Sequence, residues 1–382
     1  MGFHEFSSPY DWSRIAAYKR TAKAAFGGMI DLSVGSPVDP VPDSVRKALA
    51  VAANDPNAYG YPATAGTADL RAAIAEWFSA ARNVDLQAIH ADVVPTVGSK
   101  EGVALMASLL HFGEDDVVVQ PKVSYPTYEI GTQLAGAQVL KVDDVADVAS
   151  WRNVPGVKAV WVNSPCNPTG EVYSAERMAG IVAAAREIGA VVLSDECYAL
   201  MQWRGATNSA DDDPLQSTPC ALRSDVCAGS AEGVLVLYSL SKQSNMAGYR
   251  TAFIAGDESL IASMSAYRKQ IGQIIPGPAQ AAMAAGLRDL ESVKVQHARY
   301  RERLGVLVSA LRAYGYCTDM PDGALYVWVR AKSGDCWTDM EQLAKIGIIA
   351  SPGEFYGAPE CLRFSATASD EAIASAAERL AR

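Results

Sequence analysis

The chain has 382 residues, 49% hydrophobic and 20% charged, with a formal net charge of −10. That length suggests about two domains with a sizeable core. The acidic balance argues against nucleic acid as a partner, although a cleft in an acidic protein can still concentrate positive charge. There is no run of about 18 apolar residues, and the start Met1-Gly-Phe-His-Glu5 lacks a basic then apolar leader, so no membrane span is expected and a cytoplasmic location is. The seven cysteines are odd in number with no Cys-x-x-Cys pair, and the four histidines are not spaced as ligands. A disulfide framework and a metal site are both disfavoured.

Short β-branched runs alternate with helical patterns from about residue 90 to 255. Strands are expected at Val93–Val97, Asp116–Gln120, Gln138–Val142, Lys158–Asn163, Ala190–Ser194, Val234–Tyr238 and Thr251–Ala255. Several are apolar on both faces, as in a mainly parallel sheet covered by helices. Ser174 to Gly189 reads as one covering helix, with Ser174 as N-cap and Gly189 as stop. Its buried stripe is Met178, Ile181, Val182, Ala185 and Ile188. Gly205 to Gly233, rich in Asp, Ser and Pro, reads as a polar loop in which Asp211–Asp213 are solvated. Beyond residue 290 a long Arg-rich helix (Glu291 to about Tyr314), a strand in Gly323–Val329, a short helix near Thr338–Lys345 and a strand at Cys361–Ser365 form a small α+β unit. The expected division is 1–40 as N-terminal arm and part of a small domain, 41–290 as a large domain, and 291–382 as the rest of the small one.

Several segments carry chemistry. Val97-Gly-Ser-Lys-Glu-Gly102 follows a strand and opens a helix, so the amides near Gly98 and the Ser99 hydroxyl make a phosphate site, with Lys100 beside it. Ser124-Tyr-Pro-Thr-Tyr128 brings the Tyr125 ring to another strand end. Asn163-Ser-Pro-Cys-Asn-Pro-Thr-Gly170 is dense in turn formers and exposes the Asn167 amide. Ser194-Asp-Glu-Cys-Tyr198 sets Asp195 and Tyr198 at the C-terminal end of an apolar strand, where open α/β sheets place their ligands. Between two apolar runs, Ser239-Leu-Ser-Lys-Gln-Ser-Asn-Met-Ala-Gly-Tyr-Arg250 holds Lys242 with Ser239, Ser241 and Arg250. A partly desolvated amine near other cations is a good nucleophile toward a carbonyl, and hydroxyls with a guanidinium are donors for a phosphate. Leu362-Arg-Phe-Ser365 puts Arg363 in an apolar strand, suited to gripping a carboxylate bidentately. Singly, each has an ordinary explanation: a surface lysine, a turn, a helix cap, a core tyrosine, a structural salt bridge. Together they fit pyridoxal phosphate, which needs a Schiff-base lysine, an acid at the pyridine nitrogen, a phosphate cup and a carboxylate clamp.

Over essentially its full length the chain resembles the class I/II, fold type I pyridoxal-phosphate aminotransferases. The resemblance implies an aspartate-aminotransferase-like α/β fold with a mainly parallel central sheet and a small α+β domain. It makes Lys242 the Schiff-base lysine and has Ser99, Ser239 and Arg250 hold the phosphate. Asp195 pairs with the ring nitrogen, Asn167 and Tyr198 with the phenolic oxygen, and Arg363 with the substrate carboxylate. Tyr61, in Tyr59-Gly-Tyr-Pro-Ala-Thr-Ala-Gly66, matches a tyrosine that reaches the phosphate across a homodimer interface, and Gly35 matches a glycine near the substrate carboxylate. Tyr125 stacks on the pyridine.

Ile30–Pro40, Tyr59–Gly66, Val97–Glu101, Ser239–Arg250 and Ser351–Gly357 look most like bacterial N-succinyldiaminopimelate aminotransferases of lysine and diaminopimelate biosynthesis. Two departures stand out: the polar loop is longer than expected and Cys166 replaces a commoner serine. The implied reaction is ping-pong, with glutamate as donor, 2-oxoglutarate leaving, and Lys242 carrying the proton. Lys100 is a candidate second cation for a substrate with several carboxylates. The alternatives are an aminotransferase for aspartate, LL-diaminopimelate or an aromatic amino acid, or a lyase on the same cofactor. A regulator built on this fold would carry a DNA-binding segment, for which the stretch before Gly35 is short and not basic.

Overall fold

The computed structural model describes residues 6, 9–56, 58–203 and 218–382. Its centre is a seven-stranded sheet in the order 91–97, 251–257, 234–239, 191–195, 157–163, 117–121, 138–142. All neighbours are parallel except Thr251–Asp257, which runs against both of its neighbours. All seven expected strands are present, each within one or two residues of its expected ends. The inner strands are apolar on both faces because helices cover both, whereas the edge strand Gln138–Val142 exposes Gln138 and Lys141. Val160, Val162, Val192 and Val236 pack into one core with the helices Ala68–Arg82 and Ala175–Glu187. The alternate residues Ala159, Trp161, Leu193 and Leu237 pack into the other, with Val103 and Met106 of the helix Ser99–Leu109. This period of two is the strand's own pleat.

Register sets the functional edge. Asn163 lies opposite Asp195, Asp195 opposite Leu237, Ser239 opposite Ala252 and Val97 opposite Thr251. The ends of four strands and the start of the reversed one therefore lie along one rim. The segments at 97–100, 163–167, 195–198, 239–242 and 250 all emerge there, the position at which open α/β sheets bind ligands.

A separate three-stranded antiparallel sheet joins Ser351–Pro352, Cys361–Ser365 and Tyr326–Arg330. Ile30–Asp31 pairs with Ile348–Ile349, and Ile15 and Leu32 share a core with Leu304, Met340 and Phe364. The long helix spans Leu290–Ala313.

Local chemistry explains where the ends fall. Ser174 accepts a hydrogen bond from the Arg177 amide at 3.2 Å, and Gly189 takes a φ of +68° after the helix it ends. Ile188, expected in the buried stripe, is 36% exposed because it sits beyond the last turn; Ala184 is buried in the stripe instead. The strand expected in Gly323–Val329 starts only at Tyr326, since Ala324 has a φ of +61° that breaks the extended chain. The helix near Thr338 begins at Cys336, capped by Asp335. Asp211–Asp213 lie outside the described residues. The far end of that polar segment is a correction: Thr218, Cys220, Leu222, Val226 and Cys227 are buried, and Ser224–Cys227 is a short helix. Composition hid these few apolar residues among the polar ones.

Candidate active site

At the rim of the large sheet, where the small sheet meets it, lies a cleft of about 270 Å³. Of the residues singled out in the sequence, Gly35, Ser99, Lys100, Tyr125, Asn167, Asp195, Tyr198, Ser239, Ser241, Lys242, Arg250 and Arg363 all line it. Gly98 and Tyr61 do not.

Asp195 ends its strand with a buried carboxylate. Oδ2 accepts from the Tyr128 hydroxyl at 2.8 Å and Oδ1 from the Cys197 amide at 3.1 Å. Burial pushes its pKa up, opposed by the donors on Cys197 and Tyr128. Among the described residues Asp195 forms no ion pair, so a buried acid faces the cleft without a cation. Its neighbour Glu196 is fully paired with Arg82 at 2.8 Å, both side chains at most 1% exposed. That pair also gathers the Thr218 hydroxyl and the Ala221 amide, pinning the strand end that carries Asp195.

Lys242 sits in a four-residue helix, Leu240–Gln243, rather than in a bare turn. Ser239 caps it, accepting from the Ser241 amide at 3.1 Å. The Lys242 ammonium donates to the Gly35 carbonyl. Arg250 takes a left-handed φ of +55° and donates from Nη1 to the Ala247 carbonyl at 2.7 Å. Gly98 lies behind it with a φ of +78°, and a Cβ there would collide with the Arg250 guanidinium. The glycine therefore admits the arginine beside the first turn of the helix that starts at Ser99. Helix N-terminus, hydroxyls and guanidinium form an anion cradle.

On the opposite side, Arg363 is 4% exposed and has neutral partners: Nη1 donates to Asn167 Oδ1 at 2.7 Å and Nη2 to the Ser33 carbonyl at 2.8 Å. No salt bridge to Arg363 exists among the described residues, so its charge is left for an anion in the cleft. Its guanidinium lies over the rings of Tyr326 (4.0 Å) and Tyr356 (4.7 Å). The Tyr198 and Tyr326 hydroxyls are 2.6 Å apart. Burial, then the Tyr326 hydroxyl, push the Tyr198 pKa well up, so it stays a neutral donor. Gly35 is required here because a Cβ would collide with the Tyr326 hydroxyl.

Sequence reasoning missed Tyr10, Trp12, Tyr326 and Tyr356 in the wall and Tyr128 behind Asp195. Tyr128 stood in a segment already noted, three residues from Tyr125, one helical turn on. Tyr10 and Trp12 come from the N-terminal segment, whose packing no local pattern reports. Tyr61 is fully solvent-exposed, as is most of Tyr59, so within one chain it does not reach the cleft.

The donor set fits pyridoxal phosphate: an amine, a cradle for a dianion, and a buried acid lacking a cation. Residues 27–380 match the family model for aminotransferase class I and II. The chain is 40% identical to the 4-dedimethylamino-4-oxo-anhydrotetracycline transaminase OxyQ of Streptomyces rimosus, covering 97% of this chain and 98% of that one. It is 39% identical to the "probable aminotransferase Rv1178" of Mycobacterium tuberculosis, over 97% and 84% of the two. A solved "probable N-succinyldiaminopimelate aminotransferase" of Thermus thermophilus superimposes with a TM-score of 0.83 at 27% identity, over 97% and 99%. The chain belongs to the class I and II aminotransferases, with the aspartate-aminotransferase-like fold. It is a pyridoxal-phosphate-dependent enzyme that moves an amino group between an amino acid and a 2-oxo acid. No helix among the described residues is long and apolar enough to cross a membrane.

Proposed function

We propose that this cleft transfers the amino group of glutamate to N-succinyl-2-amino-6-oxopimelate, giving N-succinyl-LL-diaminopimelate and 2-oxoglutarate. The observation that carries the reading is the convergence of Lys242, a buried Asp195 with no cation and a buried Arg363 with only neutral partners. When bound, pyridoxal phosphate supplies a carbonyl that takes up the amino group and a ring that withdraws electrons from the substrate Cα. Asp195 holds a proton on the ring nitrogen, because a buried carboxylate is stabilised by a cation beside it. Asn167 and Tyr198 donate to the phenolic oxygen. With Oδ1 of Asn167 taken by Arg363, its Nδ2 is the donor left. Ser99, Ser239, Ser241 and Arg250 hold the phosphate and Tyr125 covers the ring. Arg363 grips the α-carboxylate bidentately, and the Lys242 amine moves the proton at the substrate Cα. The functional unit is a homodimer in which Tyr61 of the partner subunit completes the phosphate site, consistent with its full exposure here.

The succinylated acceptor is supported by the name of the Thermus neighbour and by a second cation, Lys100, in the wall. A ring ketone is the second reading, favoured by the 40% identity to OxyQ, whose name specifies an oxo-anhydrotetracycline. The test is glutamate-dependent amination of a panel: the succinylated oxo acid, oxaloacetate, pyruvate, phenylpyruvate and a polycyclic ketone. The succinylated compound should give the highest kcat/KM. A higher value for any other member overturns the substrate and leaves the amino transfer standing.

A further inference from the structure

Two buried carboxylates stand side by side at one strand end: Asp195, which lines the cleft, and Glu196, which does not. Neighbours in an extended chain point to opposite faces, so the Glu196 charge lies behind the cleft. There it meets Ser194, two residues back on the same face, whose hydroxyl donates to Oε1 at 3.0 Å. The Ala221 amide donates to the same oxygen at 2.8 Å. The cation for Glu196 is Arg82, the last residue of the helix Ala68–Arg82, whose Nη2 donates to Oε2 at 2.8 Å. The guanidinium also donates to the Thr218 hydroxyl at 3.0 Å and the Pro219 carbonyl at 2.9 Å. Two buried like charges stay ionised together only if each has its own cation. The other titratable groups near Asp195, which are Tyr125, Tyr128, Cys166 and Cys197, are pushed up by burial and stay neutral. Cys220 and Tyr238, near Arg82, are pushed up in the same way. Lys242 lies near Cys197 on the cleft side.

We infer that Arg82 is a positioning residue for the amino transfer, acting through Glu196. By neutralising that carboxylate it reserves the negative charge of the strand end for Asp195, which holds the proton on the ring nitrogen. With Glu196 made neutral, Arg82 would stay charged, because a guanidinium does not give up its proton. A bare positive charge behind Asp195 would then oppose the cation that the cofactor brings in front of it. The fork geometry explains why the residue is an arginine: one guanidinium holds Glu196, Thr218 and Pro219 at once. The inference rests on the reading that Asp195 faces the ring nitrogen, and it adds what lets Asp195 keep that role.

The test is the pH titration of the bound cofactor's absorbance, read beside single-turnover amino transfer from glutamate. Glu196→Gln keeps the shape and bares the Arg82 charge. Its titration midpoint should fall by about half a pH unit or more, and transfer should slow by about threefold or more. Glu196→Gln/Arg82→Met removes both charges and should return the midpoint to within about 0.2 unit of wild type. A purely structural role predicts the reverse, a double variant worse than the single one. Arg82→Lys keeps the charge without the fork and should titrate as wild type, which keeps the test decisive if Glu196→Gln does not fold. An unmoved midpoint in Glu196→Gln, or a shift that the double variant does not reverse, overturns the inference. So does an Arg82→Lys midpoint displaced by about half a unit. Asp195→Asn, titrated alongside, should itself move the midpoint. If it does not, the reading of Asp195 falls and this inference with it; if it does and Glu196→Gln does not, this inference alone falls.

Discussion

Asp195 accepts from two neutral donors and is pushed up in pKa by burial, so it is a carboxylate that gains from a cation in the cleft. Asp195→Asn removes the charge without changing shape. The variant should bind the cofactor and lose amino transfer by several factors of ten, each worth about 1.4 kcal/mol of barrier. Single-turnover rates with glutamate check this, and activity within about tenfold of wild type would show Asp195 to be misassigned. Tyr128 acts one step further out. It is 1% exposed, stacked on Trp161 at 4.5 Å, and its hydroxyl stabilises the ionised Asp195. Tyr128→Phe keeps the stack and deletes one hydrogen bond to a charged group, worth about 1.5–3 kcal/mol. The expected outcome is a smaller loss than Asp195→Asn, about tenfold in kcat, with KM for glutamate little changed and a shifted pH dependence of the bound cofactor's absorbance. An unchanged kcat and an unchanged titration would mean that the hydroxyl does not tune Asp195.

The elements of the large sheet were legible because the inner strands are β-branched runs buried on both faces, and most of the motifs sit where such a run stops. Asp195, Ser239 and Ser99 needed only that rule to be placed on one rim. What was not legible depends on contacts far apart in sequence. The N-terminal 3₁₀ turn Trp12–Ile15 is short, and only the packing of Trp12 on Phe355, of Arg14 over Trp337 and the Arg14–Glu354 ion pair at 2.9 Å reveal that it is fixed. Arg82 and Glu196 lie 114 residues apart, and nothing local to either marks a buried pair. The described end of the polar loop was misread because its buried cysteines and Leu222 are sparse. The Arg14–Glu354 pair carries its own pH signature. Hydrogen bonding to Arg14, outweighing burial, holds the Glu354 carboxyl below its ordinary range, whose reference is 4.5. A folded pKa below the unfolded one stabilises fully above the unfolded value and is lost as pH falls through the folded one. Wild type should therefore exceed Glu354→Gln in the unfolding free energy measured by urea titration at pH 7, by an amount of the order of 1 kcal/mol or less, and the gap should narrow at about pH 4. A gap that widens on acidification would contradict the assignment.

At the scale of the whole molecule, one chain supplies every expected cleft residue except Gly98, which lies behind Arg250, and Tyr61, which stands fully in solvent beside an exposed Tyr59. A surface aromatic pair of this kind is suited to an interface between copies. The proposed homodimer should be seen by light scattering. Tyr61→Phe should raise the cofactor's dissociation constant by about tenfold, the loss of one hydrogen bond to a charged group. A monomer with full activity, or a Tyr61→Phe variant with unchanged cofactor affinity, would count against shared sites. The central claim is that this cleft takes the amino group from glutamate with Lys242 moving the proton at the substrate Cα. Its most direct measurement is the 2-oxoglutarate released when glutamate alone is added to cofactor-loaded protein, compared between wild type and Lys242→Ala. Wild type should release about one equivalent per cofactor in a single burst, as ping-pong transfer requires. Lys242→Ala should be slower by at least about a thousandfold, roughly 4 kcal/mol of barrier. A variant within about tenfold of wild type, or a wild type that consumes glutamate without releasing 2-oxoglutarate, would contradict it.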